Sequence, residues 1–196
     1  MAYTTEDMIK DILSKFSRID YIRPSELPDI DLYMDQVTTF MERRLQDKKR
    51  YDSDKILTKT MINNYAKNDL LPPPVKKKYS KDHMLLLVFI YYFKSILSIS
   101  DIQKILGPIT EKYFSKEQSL DLESLYEEVF SLEEDAIENC RKDILTKFNR
   151  SKETFRDVPL EEADYLQLFS FICLLSFDVY VKKQLIEKII DESFSE

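Results

Sequence analysis

The sequence predicts an all-α protein, mostly helical with at most a minimal β wing. Apolar residues recur at helical spacing through most of the chain. The single glycine, Gly107, argues against a hairpin-rich β fold, because tight hairpins usually need glycine at positive φ. Gly107 precedes Pro108, and we expect a helix to end there. With 43% hydrophobic and 12% aromatic residues, a chain of 196 residues can build one substantial core or two small ones.

The first part of the chain is expected to contain three short helices separated by polar breaks. Thr4 or Thr5 caps the first helix, which ends before Pro24. The second begins at Asp29 and closes in the basic cluster 48–50. The third begins near Thr58. Its inward-facing apolar residues follow helical spacing: Leu57, Met61, Ile62 and Tyr65.

Charge is distributed unevenly along the chain, whose net charge is −7. Residues 42–82 contain twelve basic and six acidic side chains, a net charge of +6, so the rest carries −13. A basic segment in an acidic protein is typical of one phosphate-facing surface on a body that otherwise repels DNA. The alternative is that the clusters 48–50 and 76–78 are ordinary solvated loops.

The third helix leads into a stiff basic connection. Three prolines at 72–74 end the helix and extend the chain, so the lysines at 76–78 are expected to be held away from the core. On the helix, asparagine can pair with adenine, lysine with guanine or phosphate, and threonine with phosphate or a thymine methyl group. Such a helix is often only a solvated surface, but the basic connection beside it favours a helix-turn-helix module that reads DNA. Ser80 then caps the next helix.

Four segments resemble the MerR type of winged helix-turn-helix regulator: residues 60–65, the Leu-Leu-Pro exit at 69–73, the Tyr-Ser helix start at 79–84, and the helix at 96–106. This resemblance implies a recognition helix, a basic wing and a role in transcription. Residues 22–106 also resemble a bacterial group, domain-of-unknown-function family 1836, through the stretches 28–37, 57–65 and 70–74. That resemblance implies no established activity. Cys140 and Cys173 do not reproduce the cysteine arrangement of metal-sensing MerR proteins.

The last part of the chain is predicted to be acidic and helical. Residues 111–164 contain eight basic and sixteen acidic side chains, and residues 120–148 are typical of one long or two shorter amphipathic helices. The helix after Pro159 is the most apolar of the chain and must be covered on most sides. A dimer interface, an intramolecular core and a ligand pocket would each provide that cover. We expect core helices, not membrane spans, in the apolar runs 84–93 and 165–181.

Three regions follow from these patterns. Residues 1–21 form a helix that packs on the body, residues 22–108 form the helix-turn-helix domain, and residues 109–196 form an acidic helical module for dimerisation or effector binding.

Enzymatic and metal-dependent functions are not predicted. The chain has no phosphate-binding loop and no Gly-x-Ser-x-Gly motif, and its two cysteines have no pairing pattern. We expect buried thiols at Cys140 and Cys173, and we expect the only histidine, His83, at the surface or against a DNA backbone. No cofactor and no metal site are expected. No charged-then-apolar leader opens the chain, which favours a cytoplasmic location.

The sequence therefore predicts a cytoplasmic transcriptional regulator that binds duplex DNA as a homodimer, because one short recognition helix reads few base pairs. The operator, the direction of regulation and any effector stay open. The alternative is a helical adaptor whose basic hook docks an acidic protein. Predicted base-edge or nearby phosphate contacts are Lys59, Thr60, Asn63 and Asn64. Predicted backbone contacts are Lys67, Lys76, Lys77, Lys78 and Tyr79. Weaker candidates are Arg43, Arg44, Lys48, Lys49 and Arg50.

Overall fold

The structure is a computed structural model that describes residues 4–16, 21–116 and 120–194. Within these ranges the protein is mostly α-helical, as predicted, with one small antiparallel sheet. The chain divides into two compact units. Residues 22–129 and 187–196 form the hairpin unit, and residues 1–21 and 130–186 form the long-helix unit.

The elements follow one another with short connections. The helices are α1 (Thr5–Phe16), α2 (Met34–Leu45), α3 (Lys59–Lys67), α4 (Lys81–Phe93), α5 (Ile99–Tyr113), α6 (Leu122–Ser131), α7 (Glu133–Ser151) and α8 (Leu160–Ser193). The strands are β1 (Leu32–Tyr33) and β2 (Lys78–Tyr79), and the 3-10 turns are Pro24–Glu26 and Gln46–Lys48.

The second helix, α2, begins at Met34 rather than at the predicted Asp29. The two residues before it are extended and form β1, which pairs antiparallel with β2 so that Leu32 lies opposite Tyr79. A residue that hydrogen-bonds in a strand ladder cannot at the same time follow helical geometry. The small amount of β structure that the sequence allowed is therefore a two-stranded ladder.

Helix α4 forms the centre of the core of the hairpin unit. Residues 83–90 are all buried, so this run is a core helix as expected. The edge of the Phe89 ring contacts Tyr126 of α6, with the ring centroids 5.2 Å apart. The Tyr126 hydroxyl donates a hydrogen bond to the Ile22 carbonyl at 2.7 Å. Tyr126 of α6 therefore links Ile22, where the unit begins, to α4.

Helix α5 continues through Gly107 and Pro108, where the sequence predicted a helix end. Proline disfavours helical geometry in the preceding residue chiefly through a clash with that residue's N–H and Cβ. Glycine has no Cβ, so part of this clash is absent here. The predicted domain boundary at residue 108 therefore falls inside a helix, and the hairpin unit extends to residue 129.

The long-helix unit has a small core made by three helices. Ile9 and Leu13 of α1 pack with Phe148 of α7 and Phe171 of α8, and the two phenylalanine rings are 5.3 Å apart. Thr4 caps α1 as predicted, since its hydroxyl accepts a hydrogen bond from the Asp7 N–H at 3.2 Å. Of the two readings for residues 120–148, the structure has two shorter helices, α6 and α7.

Helix α8 is not covered on most sides, contrary to the sequence prediction. Tyr165, Phe177 and Val179 expose 71%, 64% and 65% of their surface. Among the described residues, α8 is also the helix that is long and apolar enough to cross a membrane, by length and composition alone. The cysteines were expected to be buried thiols, but Cys140 is exposed and Cys173 is half-buried because few neighbours cover these helices.

Candidate nucleic-acid interface

The predicted recognition helix is α3. Thr58 caps it, because the Thr58 hydroxyl accepts a hydrogen bond from the Met61 N–H at 3.1 Å. Ile62 and Tyr65 are buried and fix one side of the helix to the core. The opposite side is therefore presented to solvent.

The predicted base-contacting residues all lie on that exposed side of α3. Lys59, Thr60, Asn63, Asn64 and Lys67 are exposed. In the part of the chain that the structure describes, the side chains of Thr60, Asn63 and Asn64 have no hydrogen-bond partner. Their hydroxyl and amide groups are thus available to an external ligand.

The end of α3 is set by a residue in the left-handed conformation. Asp69 has φ of 53°, and the Leu70 N–H then donates a hydrogen bond to the Tyr65 carbonyl at 2.9 Å. This is the Schellman pattern, in which glycine is the usual residue at the Asp69 position. Leu70 and Leu71 are buried directly after it, so the proline segment starts from a fixed point.

Residues 75–78 form a two-residue hairpin, which we call the lysine hairpin. The Lys78 N–H donates to the Val75 carbonyl at 2.9 Å, and Lys76 and Lys77 have φ of 50° and 66°. Two central residues with positive φ are the pattern of a type I′ turn, which normally contains Asn-Gly. The basic arm is therefore folded into a turn and is not a fully extended hook, and the lysines at its tip are exposed.

The start of α2 brings the lysine hairpin and the start of α3 together. The Lys78 ammonium lies 5.3 Å from the centre of the Tyr33 ring. Two residues further along the chain, the Asp35 carboxylate pairs with the Lys59 ammonium. The polar face of α3 and the base of the hairpin thus converge on the same short segment, 33–35.

Tyr79 was predicted to contact a nucleic-acid backbone, but it is buried, with 3% of its surface exposed. It lies in β2, whose alternation directs Tyr79 into the core and Lys78 outwards. Burial raises the pKa of the Tyr79 hydroxyl. We therefore remove Tyr79 from the set of contact residues.

His83 is also buried, with 2% of its surface exposed, and is neither a surface residue nor a backbone contact as predicted. Its Nδ1 accepts a hydrogen bond from the Ser80 N–H at 3.0 Å, and its ring meets Phe114 edge-on with centroids 4.7 Å apart. Burial lowers the pKa of His83, and the carbonyl groups of Pro73 and Pro72 oppose that shift. His83 therefore closes the start of α4 from inside the core, between Tyr79 and Phe114.

Lys94, which no sequence motif marked as functional, supports the segment that leads into α3. The Lys94 ammonium, just after α4, donates to the carbonyl of Ile56, which precedes the Thr58 cap. Burial lowers the pKa of Lys94, and its ammonium lies 5.0 Å from the centre of the Tyr91 ring. The only signal in the sequence was a lysine that directly follows a long apolar run.

Some of the weaker candidate phosphate ligands between residues 43 and 50 already form ion pairs with acidic side chains. Lys49 pairs with Glu42, and Arg44 pairs with Glu26. The Arg50 guanidinium lies 5.2 Å from the centre of the Tyr51 ring. By contrast, no acidic side chain among the described residues pairs with Lys67, Lys76, Lys77 or Lys78. The lysine hairpin is thus the better phosphate ligand.

No group of three or more histidine, cysteine, aspartate or glutamate residues within the described ranges is arranged to hold a metal ion.

The hairpin unit corresponds to a known sequence family. The family described as "Domain of unknown function (DUF1836)" matches residues 22–129, which is more than half of the chain. The chain belongs to this family. The match begins where the hairpin unit begins and ends where its first segment ends, so it covers α2 to α5, the lysine hairpin and α6 up to residue 129. Comparison with curated proteins and with solved structures gives no match.

Proposed function

We propose that the hairpin unit binds duplex DNA as a winged helix-turn-helix module of the MerR type. The protein is then a cytoplasmic regulator of transcription that acts as a homodimer and has no catalytic activity. Helix α3 is the recognition helix, with Lys59, Thr60, Asn63 and Asn64 near base edges. The lysine hairpin is the wing, and Lys67, Lys76, Lys77 and Lys78 contact phosphates.

One observation carries this proposal: segment 33–35 lies beside both the start of α3, at the Asp35–Lys59 pair, and the base of the lysine hairpin, at Tyr33 and Lys78. In helix-turn-helix proteins the first residues of the recognition helix are those that contact base edges. A flanking cationic turn then grips the backbone and fixes the register of the helix. The exposed side chains at the start of α3 and at the tip of the lysine hairpin support the proposal.

The Asp35–Lys59 pair does not oppose DNA binding by much. The side chains of Lys59 and Asp35 are 59% and 75% exposed, and ion pairs exposed to this degree contribute about 0–1 kcal/mol. Lys59 can therefore exchange the aspartate for a phosphate or a guanine at little cost. Lys76 and Lys77 have no such pair to give up.

The first experiment is selection of bound duplexes from a random pool at two salt concentrations, followed by sequencing. We expect an enriched inverted repeat, whose two half-sites reflect the two copies of the protein. Absence of retention at low salt would contradict the proposal, because phosphate contacts alone give measurable binding there.

The second experiment separates the hairpin charges from the hairpin fold. Lys76→Asn with Lys77→Gly retains the preferred residues of a type I′ turn and removes two cations. We expect about a tenfold loss of affinity for every duplex and a smaller dependence of affinity on salt. The matched control removes two exposed lysines elsewhere in the same unit, Lys112→Asn with Lys116→Asn, and should leave affinity nearly unchanged. Equal losses in both variants would argue for unspecific attraction.

Asn63→Ala tests base reading. We expect it to alter the preference among sequences at one position of the site, because asparagine pairs bidentately with adenine. An equal loss on every sequence would remove Asn63 from the base-reading residues.

The alternative adaptor function has one observation in its favour. Apolar side chains are exposed in the lysine hairpin and in the segment that leads into α2, with Val75 and Ile30 at 69% and Tyr33 at 53% exposure. A protein partner with acidic and apolar residues would use both features. Val75→Ser should leave DNA affinity almost unchanged if the hairpin is a wing, and a large loss of affinity for an acidic protein would favour the adaptor.

A further inference from the structure

The exposed surface of α8 contains a heptad pattern. Its members alternate at spacings of four and three residues: Tyr165, Phe169, Ile172, Ser176, Val179, Lys183 and Ile186. We call this set the heptad seam. A repeat of 3.5 residues keeps one stripe of a helix in register with a second helix along its length. The Ser176 hydroxyl donates to the Ile172 carbonyl at 2.8 Å, so its polar group is satisfied within the helix.

The seam is large enough for a stable association. Tyr165, Phe169, Ile172 and Val179 are 71%, 54%, 52% and 65% exposed. Tyr180, beside the seam, is 64% exposed, and Ile186 is 36% exposed. Side chains of this size have full areas of roughly 150–250 Å², so these six expose roughly 650 Å² per copy. Two copies would bury roughly 1,300 Å², which lies within the usual range for specific protein interfaces.

A lipid bilayer fits this surface less well than a second helix does. Lys147 of α7 forms an ion pair with Asp178 of α8 at 2.6 Å, within the apolar stretch itself. The ring contact between Phe148 and Phe171 keeps α7 beside α8. Helix α7 is rich in charged residues, so α8 could enter hydrocarbon only by carrying those charges with it, which is costly.

We propose that the heptad seam of α8 binds the same seam on a second copy of this chain. The inference rests on the dimeric state in the proposed function and names the surface that creates it. The helix–helix contact joins the two copies through the long-helix unit and uses no residue of α3 or of the lysine hairpin.

The test compares two valines of the same helix in the full chain. Val179 lies in the seam and Val181 does not, and they are 65% and 62% exposed. We expect the wild-type protein and Val181→Glu to sediment as dimers, at twice the 23.4 kDa chain mass. Val179→Glu should raise the dimer dissociation constant about 10- to 100-fold, because it would bury an unpaired carboxylate of each copy in an apolar interface. Ile172→Glu is a second seam variant, and circular dichroism checks that each variant is folded.

Three results would overturn the inference. These are a wild-type protein that stays monomeric at tens of micromolar, equal dissociation of the Val179 and Val181 variants, and flotation of the wild-type chain with phosphatidylglycerol vesicles that both variants abolish. DNA binding is measured separately on the same samples. Dimers that bind no DNA would contradict DNA binding and leave the seam in place. Monomers that retain an operator would contradict the seam and the homodimeric state, and leave DNA binding by the hairpin unit in place.

Discussion

Helices α4 and α8 are both apolar, yet their surroundings are opposite. Residues 84–90 of α4 are between 0% and 4% exposed, whereas Ile172 and Tyr165 of α8 are 52% and 71% exposed. The hairpin unit supplies α4 with neighbours on every side, while the core around α8 consists of a few residues from α1 and α7. The apolar composition of a helix therefore indicates how much of its surface must be buried. The rest of the fold decides whether other elements of the same chain bury it.

The largest expected effect tests this difference directly, with the same substitution in both helices. Leu86→Ala in α4 removes a side chain that is 0% exposed and should lower the free energy of unfolding by about 3 kcal/mol, through lost burial and a cavity. Leu185→Ala in α8, where the leucine is 59% exposed and lies outside the heptad seam, should change it by less than about 0.5 kcal/mol. Urea denaturation measures both. Similar losses at the two sites would mean that α8 is covered in solution by something other than the seam.

A smaller effect concerns backbone strain, which both units contain. Left-handed non-glycine residues occur at Lys76 and Lys77 of the lysine hairpin and at Phe155 of the long-helix unit. Lys76→Asn with Lys77→Gly should raise the free energy of unfolding by about 1 kcal/mol, because these residues tolerate positive φ. Phe155→Gly provides the comparison in the other unit, and thermal or urea unfolding measures both. A loss of stability in the hairpin variant would mean that the lysine side chains stabilise the turn.

The smallest effect is a pH dependence of stability between pH 7 and pH 6, which we expect from the buried His83 of α4. Burial lowers the pKa of His83 in the folded state, so the unfolded chain binds the proton more readily. Stability is then fully present above the ordinary histidine pKa of about 6.5 and is lost as pH falls towards the lower folded pKa. Between pH 7 and pH 6 the loss should be up to about 0.7 kcal/mol.

His83→Gln supplies the control for this measurement. Glutamine does not titrate in this range, so the variant should lose the pH dependence between pH 7 and pH 6 while unfolding cooperatively. An unchanged pH dependence in the variant would assign the effect to another group.

The exposed face of α3 was predictable because helical periodicity follows directly from the positions of a few apolar residues. Ile62 and Tyr65 define the buried side, and the polar residues between them must then face outwards. The same reasoning failed for Tyr79 and His83. Both types occur inside and outside proteins, and their burial depends on neighbours such as Phe114, which lies more than thirty residues further along the chain.

Glycine content was informative about the fold class and misleading about single turns. One glycine in 196 residues agrees with a mostly helical protein. Nevertheless, the lysine hairpin forms without glycine: Lys76 and Lys77 adopt positive φ, and Val75 pairs with Lys78 across the turn. Conversely, the glycine at 107, which was expected to end a helix, lies inside α5, where an added Cβ would meet nothing within 4 Å.

The sequence by itself determined the helical class, the polar face of α3, the concentration of positive charge at 42–82 and the apolar character of α4 and α8. These properties depend on residue type and on spacing along one element. Only the tertiary structure decided that Tyr79 and His83 are buried, that segment 33–35 joins the hairpin to α3, and that α8 stays uncovered. Each of these depends on which distant elements pack together, and local spacing carries no information about distant partners.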